Sequence, residues 1–374
     1  METVRFSDVA TRANTKEDRF NTDKIYYVGG EHIDSNEMKI QKRGIIAGST
    51  IGPMFYCGFK SGDILFVTRN PHLRKCGVVD FDGICSEKTF VIETKDQDIL
   101  LQEYLAIVMQ SDDFWNYCEE NKSGGVNYFL NWSTLAEYEF PLPSIDEQKV
   151  LAEKLWAAYE VKLSYLKMID ATQEMVKSQF IEMFGGGNWP QKCLGEVGSF
   201  TRGGGFQKSD FVEHGIPCIH YGQIHTKFGP FITSHITEIS SSFESKTKFA
   251  SKGDLIIAIT SEDTEGSCKS TAWLGDYSVA VGGHAAIYKH SMNPLYMSLF
   301  FKSTLFNHAK MEYVHGTKVF EIRPDDIAKI LVPYPPMSLQ EQFSAVVEQA
   351  DKSEFELRKS VDAIDAVIKS LINS

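Results

Sequence analysis

Two glycine-bearing loops carry side chains that suit contact with phosphates and with the edges of nucleic-acid bases. The first loop, residues 122–128, contributes Lys122 and Asn127, and the second, residues 315–320, contributes Lys318. Each loop also carries an aromatic ring, so a cation, a polar group and a flat apolar group lie within a few residues. Because glycine-rich loops are common, this pattern indicates such chemistry only weakly.

The elements that would position these loops occur twice, about 190 residues apart. In each copy an apolar run begins at a Gly-Asp pair, and a later proline-rich stop is followed by a Glu-Gln pair. The offset is 191 at the Gly-Asp pair, 192 at the first proline and 194 at the Glu-Gln pair. The matched segments are 62–63 and 253–254, 141–143 and 333–335, and 147–148 and 341–342. A period of this length indicates two whole domains and not a solenoid.

Each copy is predicted to be mainly β with one helical stretch. Short apolar and alternating runs predict strands, and longer periodic runs predict helices. The strand runs are 63–68, 89–93, 254–260 and 283–288, and the helical runs are 102–117 and 295–311.

A long amphipathic helix is predicted after each proline stop. Apolar residues follow a 4-3 spacing from Leu155 to Met183 and from Phe343 to Leu371, which is typical of a coiled-coil seam. Ser144 with Glu147, and Ser338 with Glu341, have the spacing of a capping box. Some 34 helical residues would span roughly 50 Å, so an antiparallel pair could act as a ruler. Such a pair would place Gln173 near Glu354; the alternative is that the helices are simply the cores of two α+β domains.

Composition limits the class of protein. The chain of 374 residues is 43% apolar and 24% charged, as in ordinary globular proteins. It has no run of about 18 apolar residues and no apolar core of a signal peptide near its start, so we expect a cytoplasmic location and no membrane contact. The seven cysteines are scattered, which predicts neither a disulfide framework nor a zinc ribbon. His214, His220 and His225 lack a familiar metal-ligand spacing, so no metal site is predicted.

The net charge of −12 argues against a broad basic surface. It divides as −7 over residues 1–143, −2 over 144–184, 0 over 185–336 and −3 over 337–374. Only a local basic patch could therefore bind phosphate.

Catalytic chemistry has one candidate set, formed by Asp82 (or Asp80), Glu93 and Lys95. Two carboxylates and a lysine can hold a divalent metal and polarise water. However, the repeat places Tyr288 and His290 opposite Glu93 and Lys95, so the duplicated fold does not need them. No Asn-Pro-Pro-Tyr segment indicates amino-group methylation, and glycines 185–187 lack the preceding strand of a cofactor loop. We predict no catalytic residue and no cofactor.

The doubled pattern resembles the specificity subunit of type I restriction-modification systems over essentially the whole chain. The residues that carry the resemblance are 140–148, 332–335 with 341–342, and the opening of the second copy at 194–197 and 215–219. The resemblance implies an α+β protein with two target recognition domains separated by two long helices that form an antiparallel coiled coil. The four parts are the first module (residues 1–143), the first helix (144–184), the second module (185–336) and the second helix (337–374).

The resemblance also implies a function and partners. Each module would read one half of a bipartite site in double-stranded DNA, and the helices would space the modules and dock two methyltransferase subunits. Restriction subunits would join through the complex. The chain itself would be a noncatalytic DNA-binding subunit. The alternatives are a metal-dependent nuclease that uses Asp82, Glu93 and Lys95, and a coiled-coil interaction scaffold whose modules bind peptides.

The candidate DNA contacts lie in loops that combine bases with Asn, Gln or His. Arg can pair with guanine, Asn with adenine, and Lys can bind phosphate. In the first module they are Arg69, Asn70, His72, Arg74, Lys75, Lys122 and Asn127. In the second module the loop that matches 68–75 is acidic, so the candidates there are Arg202, Gln207, Lys208, His220, Tyr221, Gln223, His225, Lys227, Lys269 and Lys318.

Overall fold

The computed structural model of the chain describes residues 2–316 and 318–373, so Met1, Thr317 and Ser374 lie outside the described residues. The chain divides into two compact units. Unit 1 consists of Met1–Tyr165 with Lys359–Ser374, and unit 2 consists of Leu166–Arg358. Each unit therefore contains one module and a part of both long helices.

Residues 2–184, which the structure describes, form the first module and its helix with ten strands and five α-helices. The strands are β1 (Glu2–Arg5), β2 (Ala10–Arg12), β3 (Tyr26–Val28), β4 (Gly44–Ile45), β5 (Phe55–Phe59), β6 (Ile64–Val67), β7 (Cys76–Val78), β8 (Gly83–Ser86), β9 (Thr89–Thr94) and β10 (Glu139–Leu142). The helices are α1 (Phe6–Val9), α2 (Gln102–Val108), α3 (Asp112–Glu120), α4 (Trp132–Ala136) and α5 (Ile145–Phe184).

The second module repeats this order with additional strands. The strands are β11 (Gln191–Cys193), β12 (Gly198–Arg202), β13 (Phe211–Val212), β14 (Ile216–Ile219), β15 (Phe231–Ile232), β16 (Thr237–Ile239), β17 (Lys248–Ala250), β18 (Leu255–Ala258), β19 (Thr260–Ser261), β20 (Ser270–Trp273), β21 (Val279–Val281), β22 (Ala285–His290), β23 (Phe320–Glu321) and β24 (Leu331–Pro333). The helices are α6 (Leu194–Val197), α7 (Tyr221–Thr226), α8 (Pro294–Lys302), α9 (Thr304–Lys310), α10 (Pro324–Ile327) and α11 (Met337–Ile372).

The sheet orders confirm the duplication. The first module has sheets β2-β9-β6-β7 and β4-β3-β8-β5, and strands β1 and β10 pair with each other. The second module has β12-β22-β18-β20-β15 and β13-β16-β14-β21-β17, and strands β11 and β24 pair with each other. Removing β15 and β13 from the second set leaves the strand order of the first.

The matched Gly-Asp turns show why the two copies share a register. Gly62 and Gly253 both have φ of +94°, a left-handed conformation that glycine adopts without steric cost. Asp63 accepts a hydrogen bond from the Lys60 backbone N–H and Asp254 accepts one from that of Ser251, both at 2.8 Å. Each turn therefore starts a buried central strand, β6 or β18, from the same geometry.

The long helices are antiparallel, as predicted. In unit 1 the Lys162 ammonium lies 2.9 Å from the Asp365 carboxylate, and in unit 2 the Gln173 amide donates to Glu354 at 3.0 Å. From Lys162 to Gln173 the chain advances eleven residues along α5, while from Asp365 to Glu354 it goes back eleven residues along α11. The two helices therefore run in opposite directions. Most seam positions are buried, among them Leu155, Tyr159, Ile169, Val176, Phe180, Phe343, Val347, Val361 and Ile368.

Several predicted boundaries are wrong in detail. The helical runs at 102–117 and 295–311 each break into two helices, because Ser111 and Ser303 cap a new helix by accepting hydrogen bonds from the Phe114 and Phe306 N–H groups. Ser144 and Glu147 form the predicted capping box. Ser338 does not, because α11 already begins at Met337.

The repeat register also differs from the sequence alignment in two places. The buried counterpart of Gln148 is Gln340 and not Gln342. Gln148 accepts a hydrogen bond from the Leu101 N–H, just before α2, and Gln340 accepts the matching bond from the Asn293 N–H, just before α8. The strand pairings place Lys289, and not Tyr288, opposite Glu93. The second copy therefore still lacks the carboxylate of the first.

Candidate nucleic-acid interface

Two loops that are far apart in the first module's sequence form one surface. The Asn70 N–H donates to the Tyr128 carbonyl and the Leu130 N–H donates to the Thr68 carbonyl, both at 2.9 Å. Arg69 and Phe129 form a β-bridge between the two loops. Arg69, Asn70, His72, Lys122, Asn127, Tyr128 and Phe129 together make up what we call the module-1 surface.

The side chains of the module-1 surface combine cations with aromatic faces. The Arg69 guanidinium lies 5.2 Å from the centre of the Phe129 ring, and the Lys122 ammonium lies 4.4 Å from that of Tyr128. Lys122 also pairs with Glu119 at 2.6 Å, whereas His72 and Asn127 are exposed. A planar guanidinium backed by an aromatic ring is held ready for bidentate hydrogen bonding.

Arg74 and Lys75 are engaged inside the protein. Arg74 donates to Asp112 at the start of α3 at 2.7 Å, and the Lys75 ammonium donates to the Gly30 carbonyl at 2.6 Å. Asn70 and Arg74 both have positive φ, 51° and 48°, a left-handed backbone conformation that costs free energy in residues other than glycine. The contacts of Arg74 and Lys75 stabilise the loop in this conformation. The structure thus gives Arg74 and Lys75 anchoring contacts in the loop that presents Arg69.

The second module builds the equivalent frame from different side chains. Thr260 and Ser261 of β19 pair with Glu321 and Phe320 of β23, at the positions that Arg69 and Phe129 hold in the first module. Arg202 reaches this pair with its guanidinium 3.3 Å from Glu321 and donates to the Gly283 carbonyl. His225 contacts the Thr260 carbonyl at 3.0 Å.

Helix α7 and the loop at His284 complete this group. The Tyr221 ring centre lies 5.1 Å from that of His284 and 6.0 Å from that of His225. Burial lowers the pKa of His220, and the nearby charges of Lys208 and His284 lower it further. We call Arg202, Lys208, Tyr221, His225 and His284 the module-2 surface.

His220 and Gln223 have structural contacts and do not face solvent. The His220 ring accepts from the Gly222 N–H, and Gln223 accepts from the His220 N–H and donates to Thr237. Both are buried and together they cap α7, so they position Tyr221 and His225. The remaining candidates of this module are exposed at scattered positions and are not drawn into the group, namely Gln207, Lys227, Lys269 and Lys318.

Two residues of the two surfaces, Phe129 and His284, escaped the sequence reasoning, and so did Glu321, the partner of Arg202. Phe129 and Glu321 occupy matching positions, so an alignment of the two copies at the loop could have found them. His284 sits at the entry to β22 and carries no sequence signal of its own.

The acidic loop of the second module has its own anchor. Lys310 of α9 is almost fully buried and donates to the Glu265 and Ser267 carbonyls at 3.0 and 2.7 Å. These two hydrogen bonds of Lys310 take the place of the Arg74–Asp112 contact of the first module. Cys268 has the left-handed backbone conformation that Arg74 has in the first module.

The groups proposed for nuclease chemistry have separate partners. Asp82 accepts from the Ser61 N–H and pairs with Lys24, Glu93 pairs with Lys60, and Lys95 donates to the Ser7 carbonyl. Within residues 2–316 and 318–373, no three His, Cys, Asp or Glu side chains are grouped as metal ligands would be. No helix in the described part of the chain combines the length and apolarity that a membrane span requires.

The comparisons with known proteins agree with this two-module architecture. Residues 1–167 match the type I restriction modification DNA specificity domain. A chain from a solved structure of type I restriction-modification complex assembly and conformational transition is similar to this one over 99% of this chain and 96% of the other, at 20% identity and a TM-score of 0.58. The type I S subunit from M. genitalium is similar over 99% and 94%, at 12% identity and a TM-score of 0.54. No curated protein sequence matches.

At such identities the solved structures establish the fold, and the domain match establishes the kind of module. A duplicated α+β fold on an antiparallel helix pair, with a DNA specificity domain in its first half, defines a DNA-recognition protein. The first module therefore carries a DNA specificity domain of the type I restriction-modification kind, and the whole chain has the fold of the type I S subunit.

Proposed function

We propose that the module-1 surface and the module-2 surface each read one half of a bipartite DNA target. The supporting observation is that one strand-and-loop frame occurs twice with different side chains at matching positions, Arg69 and Phe129 in one copy and Thr260 and Glu321 in the other. Because the backbone frame is the same in the two modules, both would dock on DNA in the same way. Because the side chains on that frame differ, each module would select different bases.

The long helices set the distance between the half-sites and dock two methyltransferase subunits, through which restriction subunits join in the cytoplasm. The antiparallel contacts at Lys162–Asp365 and Gln173–Glu354 support a fixed helix register. The net charge of −12 supports an assembly in which partners provide much of the contact with DNA phosphates.

The test is to purify the chain with the methyltransferase encoded beside it and to map the methylated sites. Arg69→Ala should relax selectivity in one half-site and His225→Ala in the other, each by about 1–3 kcal/mol per affected base pair. Lys60→Ala and Lys252→Ala are matched controls, because these exposed bases precede β6 and β18, at the opposite ends of those strands from the loops. Loss of selectivity at both half-sites in either variant would refute the assignment, and so would loss at neither.

A further inference from the structure

Cys57 and Cys85 face each other across two paired strands of the first module. Their Cα positions are direct partners in the antiparallel pair β5–β8. Direct partners in such a pair have Cα atoms about 4.5–5.5 Å apart, inside the range of about 4.4–6.8 Å that a disulfide accepts. The two thiols also contact each other, since Cys85 donates a hydrogen bond to the Cys57 sulfur.

The surroundings make the two thiols unequal. Cys57 is half-buried, and Arg12 and Lys16 lie close enough to stabilise a thiolate, whereas Cys85 is fully buried. The hydrogen bond from Cys85 is the largest cause that lowers the pKa of Cys57 to about 7, and it raises the pKa of Cys85. A partly ionised sulfur on a half-buried residue, next to a protonated sulfur, has the pattern of an attacking and a resolving cysteine.

The other cysteines provide a contrast within the same chain. Burial raises the pKa of Cys218 to about 11 and that of Cys268 to about 12, and it also raises the pKa of Cys76 and Cys118. The positions of the second module that match Cys57 and Cys85 lie on β17 and β21, whose residues are Lys248–Ala250 and Val279–Val281. Only the first module therefore carries a facing pair at this place.

We propose that Cys57 and Cys85 form a peroxide-oxidisable dithiol. The Cys57 thiolate attacks one oxygen of a hydroperoxide, the O–O bond breaks, and Cys57 becomes a sulfenic acid while the peroxide is reduced to water or an alcohol. The Cys85 sulfur then attacks the Cys57 sulfur, and the hydroxyl leaves with the Cys85 proton as water. A disulfide remains, and a thiol reductant reverses the change.

The pair adjoins the module-1 surface. Glu87, two residues after Cys85, accepts from Tyr56 at 3.1 Å, and the carbonyl of Lys88 accepts from both the N–H and the hydroxyl of Thr68 at 2.9 Å. Thr68 directly precedes Arg69. Oxidation should therefore weaken recognition of the half-site read by the first module and leave the other half-site unchanged, a consequence that rests on the proposed function.

The experiment uses the full-length chain and one equivalent of hydrogen peroxide. When the product is unfolded and alkylated, the number of thiols that take up the label should fall from seven to five. Before alkylation the mass should fall by that of two hydrogen atoms, and a peptide linking Cys57 to Cys85 should appear and disappear on reduction. A different pair, or a Cys57 that oxidises onward without linking to Cys85, would overturn the proposal.

Three variants sharpen the test. Cys85→Ser should leave a sulfenic acid on Cys57 that a cyclic dione traps, and Cys57→Ser should abolish the thiol loss. Cys193→Ser, which removes another half-buried cysteine, should behave as the parent chain does. Equal thiol loss in the parent and in Cys57→Ser would overturn the proposal, and peptide mapping of the parent chain decides it even if a variant fails to fold. If the disulfide forms but half-site recognition is unchanged, the dithiol stands and its effect on DNA recognition is refuted.

Discussion

At the scale of single residues, one buried lysine is held by two carboxylates. Lys162 is almost fully buried, yet its ammonium lies 3.0 Å from Glu37 and 2.9 Å from Asp365. Burial by itself would lower the pKa of Lys162, but the hydrogen bonds to Asp365 and Glu37 outweigh it and the pKa is raised. One lysine thus ties a loop of the first module and the second long helix to the first.

We expect Lys162→Met to destabilise the fold by about 1–3 kcal/mol. The substitution keeps the apolar stem but leaves the Glu37 and Asp365 carboxylates without their base. The cost is smaller than in a deep core because both carboxylates are partly exposed. Urea denaturation measures the change in the free energy of unfolding. Lys177→Met, on the same helix and paired with Glu174 at the surface, is the control and should change stability by less than about 0.5 kcal/mol. Equal effects would contradict this role of Lys162.

His290 should make stability depend on pH. Burial lowers its pKa to about 4, and among the described residues neither ring nitrogen has a well-formed hydrogen bond, only a weak approach to the backbone at Met292. The unfolded chain binds the proton near pH 6.5, so stability is full above that pH and falls as the pH drops toward 4. Between pH 7 and pH 5 the free energy of unfolding of the His290→Phe variant should fall by about 1–2 kcal/mol less than that of the parent chain. Denaturation at each pH measures both values. Parallel pH profiles would contradict it.

At the scale of elements, the start of each long helix is fixed by one buried glutamine. Gln148 donates to the Ile99 and Pro143 carbonyls and accepts from the Leu101 N–H. Gln340 donates to the Pro335 carbonyl and accepts from the Asn293 N–H. Both amides join the proline stop to the loop that precedes the module's helices, and this explains why the stop and the helix recur together.

We expect Gln340→Ala to destabilise the fold by about 1–3 kcal/mol, because it leaves a buried N–H and a carbonyl without partners. Gln342→Ala should have little effect, since Gln342 is exposed although it stands in the repeated Glu-Gln motif. Thermal denaturation of the two variants separates the structural register from the sequence register. A larger effect at Gln342 would show that the motif and not the buried position matters.

At the scale of the whole molecule, two helices that run through both units are the only continuous elements shared by them among the described residues. α5 covers Ile145–Phe184 and α11 covers Met337–Ile372, and each contributes residues to unit 1 and to unit 2. Under the proposed function, a change in their length should alter the distance between the two half-sites and leave each half-sequence as it is.

Inserting seven residues between Met168 and Ile169 and seven between Arg358 and Lys359 should lengthen the spacer of the DNA target. A heptad in each helix keeps the seam and adds about 10 Å, or roughly three base pairs. Methylation mapping of the complex should show both half-sequences unchanged. Insertion into one helix alone is the control and should abolish activity, because it breaks the register between Lys162–Asp365 and Gln173–Glu354. An unchanged spacer would refute the role of the helices as a ruler.

The sequence by itself determined the duplication, the proline stops and the two long helices, because these follow from periodicity and local spacing. The antiparallel pairing was implied by the family resemblance, and the contact of Gln173 with Glu354 follows once that pairing is given. Tertiary structure decided the two surfaces. Arg69 meets Phe129 only because strands remote in sequence bring their loops together, and Arg74 turns inward only because Asp112 lies there to receive it. Strand pairing and burial are nonlocal, so no local pattern separates a base that faces solvent from one that anchors a loop.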